Sequence, residues 1–199
     1  MDSTTMVLAL ALGNLALCAT LFFFEQSNHG GRPVVPTWGW ARLCQGAGWL
    51  LLAIGAVGVV PEGLALPIAY AVVFAGVAWE AGAAWERAGR LRWRRAVIPA
   101  LALGIAAFLL CWLIDPIGLR AVAASLVLAG FYLALAAAFA RDWAAASMLQ
   151  RFLALATTVL ALVVGARGAL VLLAPAGCAG AVPSSPRWRW ASPRSCCAG

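Results

Sequence analysis

The chain has 199 residues, 64% of them hydrophobic and 11% charged, which is too little polar surface to cover a water-soluble globule of this size. Its formal charge of +7 comes from arginine alone, with five of the fourteen in one nine-residue stretch beside apolar segments; without a soluble domain to carry a binding surface, this argues against nucleic acid and for anionic lipid headgroups as partners. The absence of lysine beside abundant Ala and Gly marks GC-rich codons, and so points to a high-GC bacterium and its inner (plasma) membrane.

The expected fold is an all-α, polytopic transmembrane helix bundle of about six spans with an irregular C-terminal tail. Span one, residues 5–24, is about 20 residues long, or roughly 30 Å as a helix, which matches the hydrocarbon thickness. Asp2 stands where a signal peptide would carry a basic region, and Leu17 before Cys18 is too large for a lipoprotein cleavage site, so this segment is expected to stay as a span. The linker 25–37 collects Asn, Gly and Pro and holds the only histidine, His29, which has no second ligand nearby and reads as a solvated loop residue. Span two, 38–60, opens on Trp38 and Trp40, whose rings favour the headgroup region, and Pro61, Glu62 and Gly63 are expected to turn the chain into span three, 64–85. The basic loop follows, then span four, 96–114, a turn at Asp115, Pro116 and Gly118, and span five, 119–140. A polar link at Arg141, Asp142 and Trp143, with an interfacial turn to Gln150, leads into span six, 151–174.

Arg87, Arg90, Arg92, Arg94 and Arg95 fix the expected orientation, because short loops rich in arginine stay cytoplasmic. Loop 87–95 is then inside, together with the loops at 25–37 and 141–150, and the N-terminus is outside. These five arginines are the candidate headgroup contacts. Residues 175–199 break the pattern: they hold four Pro, four Ser, three Arg and three Cys but one branched aliphatic residue, Val182. They read either as a disordered exported tail or as a stretch out of its original frame in GC-rich DNA.

Charged residues at membrane depth usually face the bundle interior or snorkel to an interface. Glu80 lies seven residues before Arg87, roughly 10 Å in, while Arg42 and Gln45 lie four and seven residues in from Trp38 on the neighbouring span. Comparable depth makes Arg42, Gln45 and Glu80 a candidate intramembrane polar cluster, the pairing costing less than two separate burials. The alternative is that Arg42 snorkels and Glu80 stays protonated. Arg167 and Arg120 are within reach of an interface and carry no expected role. The six cysteines form no C-x-x-C pair, and no zinc spacing, nucleotide loop, nucleophile triad or carboxylate pair occurs, so no catalytic residue, metal or cofactor is expected.

Two stretches carry a resemblance: WARLCQGAGWLLLA at 40–53 and AGVAWEAGAAWERAGR at 75–90. They resemble the N-terminal multi-helix membrane region ahead of GGDEF domains in proteobacterial diguanylate cyclases, and with span order and hydropathy the likeness extends over residues 1–174. The resemblance implies a sensory input module that holds a small-molecule or lipid signal among its helices and relays it to a cytoplasmic enzyme; a homodimer is a further candidate assembly. The Gly-Gly-Asp/Glu-Glu-Phe signature is absent, so this chain is expected neither to make cyclic di-GMP nor to bind GTP. Two other readings stay open: a small transporter or proton conductor using Glu80, and an accessory subunit of a membrane complex.

Overall fold

A computed structural model describes residues 3–27, 34–90, 92–114, 118–141 and 143–173. Among them are six α-helices and no strand: α1 (Ser3–Ser27), α2 (Val34–Val57), α3 (Glu62–Arg87), α4 (Arg94–Ile114), α5 (Gly118–Ala140) and α6 (Met148–Leu173). All six are long and apolar enough to cross a membrane, so the protein is an all-α multi-pass membrane protein. His29 and the tail at 175–199 lie outside the described residues.

Several helix ends differ from the sequence expectation for identifiable reasons. α2 begins at Val34, inside the anticipated linker, because Pro36 falls in the first helical turn, where its missing N–H has no partner to lose. It stops at Val57 because Gly58 takes φ +82°, and the amides of Gly58 and Val59 fold back onto the carbonyls of Gly55 and Ile54. The turn therefore lies at 58–61, and Glu62 and Gly63 already belong to α3. Gly89 does the same at the end of α3: with φ +80° it lets its own amide reach Glu86 and that of Arg90 reach Trp85. α6 starts three residues before Arg151 because Ser147 caps it, its hydroxyl accepting from the Gln150 amide at 3.3 Å.

The helices pack as neighbours in a row with one addition. α1 lies on α2, α2 on α3, α3 on α5 and α5 on α6, while α4 packs against both α3 and α5. α3 and α5 are consequently the core, half of their spanning residues being buried against about a tenth (11%) in α1 and α6. Ala81 and Ala84 of α3 meet Leu135, Ala138 and Phe139 of α5, while Phe74 of α3 packs edge-on against Phe108 of α4 at 5.5 Å. Small residues let the hairpin helices approach closely: Gly46 of α2 faces Leu15 and Ala11 of α1, and Gly168 of α6 faces Ser125 of α5.

Two connections meet at one end of the bundle. Arg141, just past α5, donates to the Ala88 carbonyl at 2.7 Å, which ties the α5–α6 link to the arginine-rich α3–α4 loop. Gln150 of α6 donates to the Phe139 carbonyl at 3.1 Å, satisfying an acceptor that the end of α5 leaves without a helical partner. Arg151 reaches the Ala144 carbonyl at 3.3 Å and lies over the Trp143 ring.

Candidate functional site

The position of the polar site follows from how closely α2 and α3 meet. Gly48 has no room for a Cβ beside Val73 and the Ala69 backbone, and Gly76 has none beside Gln45 and the Ala41 backbone, so the two helices are nearly in backbone contact along this seam. Gly76 lies one turn from Glu80 on α3, and Ala41 is next to Arg42 on α2. The seam therefore sets the carboxylate and the guanidinium on facing surfaces at one depth.

The structure brings Arg42, Gln45 and Glu80 together. The Arg42 guanidinium donates to Glu80 Oε1 in an ion pair, and Gln45 Nε2 donates to Glu80 Oε2 at 2.8 Å, so both carboxylate oxygens are engaged. Arg42 also donates to Gln45 Oε1 at 3.2 Å. Glu80 and Gln45 are buried, at 7% and 5% exposure, whereas the Arg42 side chain keeps 29% of its surface open. This is the only ion pair among the described residues.

A third helix joins the network through a residue that the sequence does not single out. Arg42 donates to Asn14 Oδ1 of α1 at 3.2 Å, and Asn14 in turn donates to the Leu10 carbonyl of its own helix at 2.9 Å. The signal was present, since Asn14 is the one side-chain amide within residues 5–24. It lacks a charge, however, so depth alone does not separate it from a hydroxyl such as Thr20, which bonds back to the Ala16 carbonyl of its own turn. A shallow, open depression lies on this side, lined by Leu10, Gly13, Asn14, Leu17 and Thr20 of α1 and by Arg42. Glu80 thus sits at the closed end of the cluster and Arg42 at its open end.

The five arginines of the basic stretch are all exposed, but they are not equivalent. Arg87 ends α3, Arg90 and Arg92 lie in the loop, and Arg94 and Arg95 open α4. Arg94 lies over the Trp93 ring at 5.4 Å, and Trp93 itself is buried, packed edge-on against Trp79 and close against Gly82, where a Cβ would come within 2.2 Å of the indole. Arg120 likewise rests over Trp112 at 4.8 Å, and Arg167 is exposed on α6. Among the described residues no group of three or more His, Cys, Asp or Glu side chains could hold a metal ion. In comparisons with known protein families, characterised proteins and solved structures, nothing matches this chain.

Proposed function

We propose that the protein is a membrane-embedded input module of a bacterial signalling system, of the diguanylate cyclase type that its sequence resembles, and that a small solute or lipid acting on the Arg42 cluster is its signal. The observation that carries this reading is the sharing of one guanidinium among three helices while its exposed side borders a shallow, open depression. A ligand with an acceptor oxygen that enters beside Asn14 competes for the same Arg42 N–H groups. It releases α1 from α2 without exposing Glu80, which keeps Gln45. Binding is thereby linked to the packing of an edge helix held by α2 alone.

The transporter reading draws less support. A proton relay needs a carboxylate with a free oxygen and successive partners, whereas both oxygens of Glu80 are engaged and no second ion pair lies among the described residues. The two readings separate in proteoliposomes that contain a pH-sensitive dye, under an imposed potential. An input module leaves wild type and Glu80→Gln indistinguishable from empty vesicles, and its tryptophan fluorescence changes saturably with a small carboxylate or phosphate solute in a way that Asn14→Leu and Arg42→Gln abolish. Proton flux that Glu80→Gln removes would overturn the proposal in favour of transport.

The same reading puts the arginine-rich end in the cytoplasm and the N-terminus outside. A single cysteine at Arg95, in a chain whose six native cysteines are replaced by serine or alanine, is expected to resist a membrane-impermeant maleimide in intact spheroplasts and to react after lysis. Arg95 suits this better than Gly89, whose positive φ a cysteine would strain. Labelling of intact cells at that position reverses the topology.

A further inference from the structure

α4 and α5 part on the side away from the Arg42 cluster and leave a cleft of about 660 Å³. Its apolar walls combine Val97, Leu126 and Phe131 with small residues that leave the space: Ala100 and Gly104 on α4, and Gly130 on α5, where an added Cβ meets nothing within 4 Å. At the arginine-rich end the mouth is formed by Arg90, Arg92 and Trp93. From Trp93 to Gly104 is eleven residues, roughly 16 Å of helix, which is about half of the ~30 Å hydrocarbon core and so the depth of one leaflet.

The charges at the mouth are available. Arg94 is stacked on Trp93 and Arg141 is spent on the Ala88 carbonyl, but neither Arg90 nor Arg92 has a carboxylate partner among the described residues. Two guanidiniums at headgroup level with no carboxylate partner among the described residues, above an apolar slot one leaflet deep, match a molecule with a phosphate at one end and a hydrocarbon chain at the other. A neutral lipid uses the slot but leaves the arginines unsatisfied, and a free phosphate does the reverse. We infer that the α4–α5 cleft is a binding site for an anionic phospholipid, with its phosphate held by Arg90 and Arg92 and an acyl chain lying against Gly104 and Gly130. This site shares no residue with the Arg42 cluster and does not depend on the role proposed for it.

The experiment is a titration of the purified full chain in neutral detergent with phosphatidylglycerol and, separately, phosphatidylcholine, with bound lipid counted by native mass spectrometry. One phosphatidylglycerol is expected to bind more tightly than the rest and more tightly than phosphatidylcholine. Arg90→Gln with Arg92→Gln weakens it about twenty-fivefold, the product of two headgroup contacts worth about fivefold each. Gly130→Leu, which enters open space and keeps both arginines, abolishes the tight site while leaving thermal stability intact. Equal affinity for the two lipids overturns the inference, as does an arginine effect without a Gly130→Leu effect, which would mean headgroups gathered on the loop alone. Competition by millimolar inorganic phosphate would assign the site to a free anion and equally overturn it.

Discussion

Replacing Glu80 alone by leucine is expected to destabilise the bundle by about 3–5 kcal/mol, because Arg42 and Gln45 are then left without the acceptor oxygens that now occupy them. Replacing Arg42 alone by methionine leaves Glu80 buried at 7% exposure with Gln45 as its remaining donor, and the loss is of the same order. The double variant, Arg42→Met with Glu80→Leu, is expected to lose clearly less than either single change, since an apolar pair of similar volume avoids both desolvation costs. A coupling of at least about 2 kcal/mol between the two positions, measured by equilibrium unfolding in mixed micelles, would establish that the pair acts as a unit. Additive losses would show that Arg42 is served by water and headgroups instead, an outcome its 29% side-chain exposure makes worth excluding.

Most of the fold and part of the site were legible because a bilayer imposes length and polarity on each segment separately. Six apolar runs of about twenty residues admit little besides six helices, and local devices account for several helix ends that depart from the expected spans: Pro36 tolerated in a first turn, glycine caps at Gly58 and Gly89, and Ser147 capping an early start of α6. Depth made the pairing of Arg42 with Glu80 one of two open readings, because antiparallel neighbours in a membrane share one coordinate, but it did not decide between pairing and snorkelling. What depth cannot supply is azimuth, the face of the helix on which a residue lies. For this reason Asn14, at the right height but uncharged, went unnoticed, and the cleft between α4 and α5 was invisible: the space for it is left by alanines and glycines such as Ala100 and Gly130, whose sequence signal is the same whether they close a seam or leave it open.

Glycine decides between these two outcomes, and Gly76 is where the difference has the greatest consequence. A valine at Gly76 would place its Cβ 2.9 Å from both the Ala41 carbonyl oxygen and the Gln45 amide nitrogen, and a backbone cannot yield as a side-chain tip can. α2 must therefore move away from α3, opening the seam from Gly48 to Gly76 and drawing Arg42 from Glu80. Gly76→Val is expected to destabilise the bundle by roughly 3 kcal/mol, the upper range of overpacking, and to reduce the Arg42–Glu80 coupling towards zero when the double-mutant cycle is repeated in that background. Gly130→Ala supplies the control. It adds its Cβ to open space within a helix, so it is expected to be neutral or to stabilise by up to about 1 kcal/mol through helix propensity. A Gly76→Val protein that keeps both its stability and the full coupling would mean that the two charges meet without close helix contact, and that the seam is not what holds the site together.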